Sequence, residues 1–299
     1  MRRLARPLLL LVLASCAAET PQEPPAAAAA KPAMNAKSHE EEILEWRRKR
    51  VERLTSEDGW LTLVGLAWLE EGTNTIALPS KPPVKVTITL EGGTVTLAPE
   101  KGVAIDGRPV AQPTLLRDDT DPSGPTIVSA GTLRFHVIRR ASRYGIRMKD
   151  PEAPARKNFR GLDYFPIDPK WRVEARFTPF PEPKRVTITN VLGFTTEEIS
   201  PGTLTFSVDG RSYTLQPILE QGETDYFVIF KDATSGKETY AAARYVYVPP
   251  AGADGMTVID FNKAYNPPCV FTKFATCPLP PPQNRLPIRV EAGEKDYGH

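Results

Sequence analysis

Seven prolines fall between Pro267 and Pro287, inside the stretch DFNKAYNPPCVFTKFATCPLPPPQNRLPIRVEAGE that runs from Asp260 to Glu294. Each proline ring removes a backbone donor and fixes φ, so neither a helix nor a central strand can run through it. Its composition is nevertheless not that of a linker: Phe261, Tyr265, Phe271 and Phe274 need burial, and two cysteines accompany them. A long, stiff, aromatic-rich segment without regular structure is expected to carry function. The whole chain holds 31 prolines in 299 residues, about twice the usual share. That load argues against a helical protein and for strands joined by stiff turns.

Before this folded material comes a segment of another kind. Residues 1–16, MRRLARPLLLLVLASC, join a basic start to a short apolar run and small residues before a cysteine. This is the layout of an export signal, too short to span a bilayer as a mature helix. Its ending, Leu13-Ala14-Ser15-Cys16, resembles a bacterial lipoprotein signal, which implies that Cys16 becomes the lipidated first residue of the mature chain. Ala17 is not the aspartate of an inner-membrane retention signal, so the expected place is the cell envelope, on the outer membrane facing the periplasm. The Ala/Pro-rich residues 17–37 lack the apolar mass to fold and read as a tether. Without Arg2, Arg3 and Arg6 the 38 Lys+Arg fall to 35 against 36 Asp+Glu. A balance so near neutral offers nucleic acid no electrostatic footing.

The fold expected beyond the tether is mainly β: antiparallel sandwich- or barrel-like sheets with one N-terminal amphipathic helix. Ser38 and Glu41 have capping-box spacing, and Ile43, Leu44, Val51 and Leu54 form an apolar stripe, so a helix is predicted over 38–55. Trp60–Val64 begins the first strand. VKVTITLEGGTVTLAP (84–99) reads as a hairpin turning at Gly92-Gly93, and TLTFSVDGRSYTLQPI as another turning at Asp209-Gly210. Further strands are predicted at 103–110, 126–129, 131–140 and 143–148, then at 171–177, 185–192, 202–208, 212–217, 225–230, 239–248 and 256–261. A last strand, 286–292, would return after the proline-rich segment. The proline-punctuated residues 150–170 divide the chain into sub-domains at 38–150 and 151–299.

Five blocks then stand out: GWLTLVGLAWL, RYGIRMKD, NFRGLDYFPID, FKDATSGKETYAAARY and the terminal DFNKAYNPPCVFTKFATCPLPPPQNRLPIRVEAGEK. Together they resemble the bacterial and archaeal family called domain of unknown function 1684, over about residues 42 to 296. The resemblance implies the extent of the domain and no activity.

The common enzyme signatures are absent from the sequence: there is no Gly-x-Ser-x-Gly elbow, phosphate-binding Walker loop, dinucleotide glycine fingerprint or His-Glu-x-x-His. The three histidines, His39, His136 and His299, are scattered. No cofactor is expected. For Cys269 and Cys277 three states are open: a disulfide, free thiols, or part of a metal site. The export signal favours the disulfide, worth about 2.5 kcal/mol for so short a loop, and a closed zinc site would want four ligands.

Carboxylate, amide and arginine chemistry remains. Asp260 and Asn262 lie two apart on an extended run and share a face. Asp232, Arg244 and Asn284 would meet them if the 260–294 segment folds over the 225–248 hairpin. Such a group is either a buried brace or the lining of a polar cleft. The cleft reading makes Asp260, Asn262, Tyr265, Asn266, Arg244, Asn284 and Arg285 contacts for a small polar or envelope-derived ligand. Two alternatives stand beside it: a hydrolase using Asp260 or Asp232 as acid or base, and an envelope scaffold that recruits partners by strand addition. Arg134, Arg140, Arg143 and Arg147 form a possible stripe, interleaved with acids and read here as solvated ion pairs.

Overall fold

Ser38 opens the folded unit in the computed structural model, which describes residues 37–80 and 82–298. The export signal, Cys16 and residues 17–36 of the tether lie outside the described residues. Ser38 Oγ accepts the Glu41 N–H while Glu41 reaches back to Ser38 N, and helix α1 (His39–Thr55) follows. The reciprocal bonds satisfy two of the donors that a helix start leaves open. The buried stripe is rotated from the expected one: Ile43, Arg50 and Leu54 are buried, whereas Leu44 is 52% exposed. The cause is tertiary. Arg47 donates to the Phe165 carbonyl, Arg50 pairs with Glu294 and His39 bonds Asp260, so the helix docks on the C-terminal segment.

A single 3-10 turn, Trp60–Thr62, stands where the first strand was expected to begin. The strands then run as β1 (Leu63–Trp68), β2 (Gly72–Leu78), β3 (Val84–Glu91), β4 (Thr94–Leu97), β5 (Val103–Ile105), β6 (Arg108–Pro109), β7 (Thr114–Leu115), β8 (Val128–Ala130), β9 (Leu133–Arg140) and β10 (Arg143–Lys149). One sheet has the order β1-β10-β9-β8-β5-β6 and a second the order β2-β3-β4-β7. Their inner faces share a core of Val86, Ile88, Leu97, Val128, Leu133, Phe135, Val137 and Ile146. The period-two alternation of β-branched residues fixes this register, since a slip of one residue would turn the whole apolar set outward. Gly92 and Gly93 make the β3–β4 turn with φ of 54° and 87°, a backbone that glycine adopts without strain.

After the four-residue helix α2 (Pro154–Lys157) come β11 (Arg172–Thr189), β12 (Thr195–Val208), β13 (Arg211–Leu215), β14 (Tyr226–Phe230), β15 (Arg244–Val248) and β16 (Met256–Asp260). The order β13-β12-β11-β16 forms one antiparallel sheet, and β14 and β15 pair as a ribbon. Between them lie Trp171, Phe206, Phe230 and Phe261, with the Phe261 ring packed against both Phe206 and Phe230. Strand β11 is far longer than either segment expected there, because a bulge between Pro179 and Lys184 absorbs the prolines without ending the pairing with β12. Residues 239–243 and 286–292 are not strand. The expected last strand is instead irregular chain crossing the β14–β15 ends, where Lys231 donates to the Asn284 carbonyl and accepts the Leu286 N–H. A third apolar cluster, including Leu63, Ile188, Phe227, Ile229, Tyr245 and Cys277, joins β1 to the C-terminal strands.

After Asp260, the last residue of β16, the helical turns of the segment are short 3-10 ones at Phe261–Lys263, Pro268–Val270 and Pro282–Asn284. Cys269 and Cys277 form a disulfide with their Cα atoms 6.2 Å apart. Beyond it, Val191 donates to the Cys277 carbonyl and Leu279 to the Thr189 carbonyl, which ties the segment to the turn between β11 and β12.

Candidate functional site

Two polar assemblies inside residues 230–295 account for most of the site residues expected from sequence. Asp232 Oδ2 accepts Arg244 Nη1 at 3.2 Å and Val290 N at 2.6 Å, while its Oδ1 accepts Thr234 N, Thr234 Oγ1 and Ser235 Oγ. Arg244 also donates to the carbonyls of Val290 and Ala292 and is fully buried. Asp260 Oδ1 accepts Asn262 N and Nδ2 at 3.1 and 3.0 Å, and its Oδ2 lies 2.7 Å from His39 Nε2. Asn262 is in turn locked to the Asp168 backbone, Asn284 to Gln216 and Ile229, and Asn266 to Glu294 and Lys295. Every oxygen of these two carboxylates has a partner within the fold, and neither residue lines the cleft described next. They brace the proline-rich segment against the sheets. Arg285 is exposed and meets Lys231 through backbone. Among the expected contacts only Tyr265 reaches the cleft described next.

That cleft, of about 1360 Å³, is bordered by α1, β9, β10, β12, β14, β15 and the loop residues Tyr265, Pro268, Thr276, Cys277 and Pro278. It is larger than the roughly 300–1,000 Å³ of ordinary small-molecule pockets. Its basic side follows from register. Strands β9 and β10 pair Arg134 with Lys149, His136 with Arg147 and Arg140 with Arg143. Period two then sends all six to the face opposite Phe135, Val137, Ile146 and Met148, which fill the core.

The fates of these cations differ. Arg134 forms an exposed pair with Glu57, and Arg143 lies 5.0 Å from the rings of both Trp68 and Phe194. Arg140 is held by Asp119 at 2.8 Å. Arg147 is 5% exposed, yet among the described residues no carboxylate pairs with it. Its Nε has no hydrogen-bond partner, its Nη2 donates to Thr276 Oγ1 at 3.3 Å, and its guanidinium lies 5.2 Å from the Trp60 ring. Burial, then the neighbouring Arg140, lowers Arg147 to about 10. Lys149 is lowered too, chiefly by burial, and donates to the Asp58 carbonyl. Arg140 Nε also donates to Thr276 Oγ1, at 3.2 Å. A hydroxyl oxygen accepting two guanidinium bonds keeps its own proton to donate. Two or three cationic donors and one hydroxyl thus converge, and the disulfide next to Thr276 holds that hydroxyl in place.

The other side is aromatic and acidic. Phe227 and Tyr247 stack at 4.9 Å, Tyr245 meets Tyr265 edge to face at 5.7 Å, and Tyr245 Oη donates to the Pro278 carbonyl. Tyr247 Oη donates to Glu220 Oε2 at 2.6 Å. Burial raises the Glu220 carboxyl, and Glu223 and Glu198 raise it further. Sequence reasoning grouped Arg140 and Arg147 with ordinary ion pairs and passed over Trp60, Thr276 and Glu220. The usable signal was the alternation of bases in LRFHVIRR and RYGIRMK, read across the hairpin.

Residues 157–295 match the family described as protein of unknown function (DUF1684), a narrower extent than the sequence blocks suggested. A solution NMR structure of an uncharacterized protein from Haloarcula marismortui is 36% identical over 48% of this chain and 81% of that one, with a TM-score of 0.41. No curated protein matches the chain.

Proposed function

From a chain that belongs, through residues 157–295, to the DUF1684 family of unknown function, no activity carries over, and we propose from the cleft itself that the protein binds a small anionic ligand. The ligand's carboxylate or phosphate would sit against Arg147, with Lys149, Arg140 and the Thr276 hydroxyl around it and Trp60 beneath. The observation that carries this is the buried guanidinium of Arg147, with which no carboxylate among the described residues forms an ion pair. A charge taken from water without a partner costs several kcal/mol, and a binding site is a common reason for a fold to keep one. The 260–294 segment rims the cleft through Tyr265, Thr276 and Pro278. The acid-base alternative built on Asp260 or Asp232 is the weaker reading, because each carboxylate is held by several partners within the fold and neither lines the cleft.

The test is calorimetric titration of the full chain with inorganic phosphate and with acetate, beside Arg147→Gln. Binding should weaken at least about tenfold in the variant, with its cooperative melt intact. Equal affinities would remove the proposal. The export signal supports a second element: the protein works in the cell envelope, anchored through lipidated Cys16. Incorporation of an alkynyl palmitate, abolished by Cys16→Ala, would support it; incorporation unchanged in that variant would exclude Cys16 as the anchor.

A further inference from the structure

The cleft holds two sets of like charges that do not cancel each other. Leu219 N–H bonds the Ile199 carbonyl, which sets Glu220 beside Glu198 on β12, and Glu223 and Asp225 follow on the same turn. Among the described residues none of these four acids forms an ion pair; Glu220 has only the Tyr247 phenol and Glu198 only the Thr196 hydroxyl. Glu223 and Glu198 act on Glu220, and Arg140, Lys149 and Asp119 lie near enough to Arg147 to act on it. Neither cluster is the other's counterion, although both border one cavity. Of the other charges lining the cavity, Arg50 is matched by Glu294 and Arg140 by Asp119, while among the described residues Arg53, Asp58, Arg139 and Lys263 form no ion pair. Tyr247, Tyr265 and Phe227 line the same cavity, Tyr247 the most exposed of them, and offer surfaces suited to flat or aliphatic groups.

A fold that neutralises some cleft charges and leaves two opposite sets open is complementary to a molecule carrying both signs. We propose that the ligand is a zwitterion: an anionic group at Arg147 and Lys149, an apolar or planar middle along the tyrosines, and an ammonium group at Glu220 and Glu198. The cleft volume fits a molecule longer than a single amino acid, such as a short peptide with free termini. This inference rests on the anion-binding proposal above and adds the second charge.

The experiment titrates the full chain with alanine peptides of two to five residues in three forms: free, N-acetylated and C-amidated. Acetylation deletes the cation and amidation the anion on an unchanged backbone. At the best length the free peptide should bind at least ten times tighter than either capped form. Glu220→Gln should erase the advantage over the acetylated form and leave that form's affinity unchanged, whereas Arg147→Gln should weaken both. Acetylated peptides that bind as tightly as free ones would overturn the zwitterion while leaving the anion site standing. Amidated peptides that bind as tightly as free ones would overturn the anion site itself. If no free peptide binds while phosphate still does, the zwitterion is overturned alone.

Discussion

Arg147 Nη2 lies 3.3 Å from Thr276 Oγ1, a contact that spans 129 positions of sequence and joins a strand of the first sandwich to the disulfide-closed loop. Arg244, as deeply buried, has Asp232 and two carbonyls around it. The two arginines therefore have opposite meanings for stability. Arg244→Ala strands the Asp232 carboxylate and frees two carbonyls, and should destabilise by about 3–5 kcal/mol. Arg147→Met removes a buried charge that no carboxylate pairs directly, and should be neutral or stabilising by about 1–2 kcal/mol. Urea denaturation of both variants checks the pair. A large loss for Arg147→Met would mean that the guanidinium is a brace after all.

The disulfide should matter to binding as well as to the fold. Opening Cys269–Cys277 releases a short loop, a loss of about 2.5 kcal/mol on the chain-entropy account. It also frees Thr276, next in sequence to Cys277, from its place against Arg140 and Arg147. A Cys269→Ser, Cys277→Ser double variant should melt lower and bind phosphate several-fold more weakly. Unchanged affinity at lower stability would show that the loop keeps its course without the bond.

His136 gives a pH signature. Burial first, then Arg147 and Lys149, lower its imidazole from 6.5 to about 4, against a weaker opposing pull from Asp119. The unfolded chain therefore takes up a proton before the folded one. This contribution to stability is intact above pH 6.5, is lost progressively as pH falls toward 4, and then levels off. Its full size is on the order of 3 kcal/mol. An anion bound beside Arg147 raises the imidazole's pKa, so binding takes up a proton and tightens at lower pH. Stability and sulfate affinity measured at pH 5 and 7 should show both trends, and His136→Gln should flatten them.

Much of the architecture is legible in the sequence because it is local. The Ser38–Glu41 spacing dictates the cap of α1, and Gly92-Gly93 and Asp209-Gly210 dictate their turns at positive φ. The errors lie where distant contacts decide. Leu44 turned outward because the helix face is chosen by Glu294 and Asp260, over 200 residues away. Residues 286–292 look like a strand, but their backbone makes one bond to the Lys231 carbonyl, one from the Ala233 N–H, and bonds with the Arg244 and Asp232 side chains. The same limit governs the site. Of the residues expected to converge, Arg244 pairs with Asp232, but Asp260 and Asn262 bond His39 and Asp168 and Asn284 bonds Gln216 and Ile229, so they form separate bracing groups within the fold. Arg147 looked like a member of a solvated stripe, and only the packing of the 276–278 chain over β9 and β10 buries it.

The conservative carboxylate test separates bracing from binding in the second assembly. Asp260→Asn keeps the shape but weakens the acceptors for His39 and Asn262, and should cost about 1–3 kcal/mol while leaving phosphate affinity unchanged. Loss of affinity with an unaltered melt would return Asp260 to the binding site.

The most direct measurement is to follow the arginine Nε–H resonances by ¹H–¹⁵N NMR in the full chain as sulfate is added. The Nε groups of Arg147 and Arg244 both lack a partner in the fold, and only Arg147 borders the cleft. The account predicts a saturable shift of the Arg147 resonance, absent in Arg147→Gln spectra, with Arg244 stationary. An Arg147 resonance that stays in place up to high anion concentration, or moves in step with Arg244, would contradict the assignment of this cleft as an anion site.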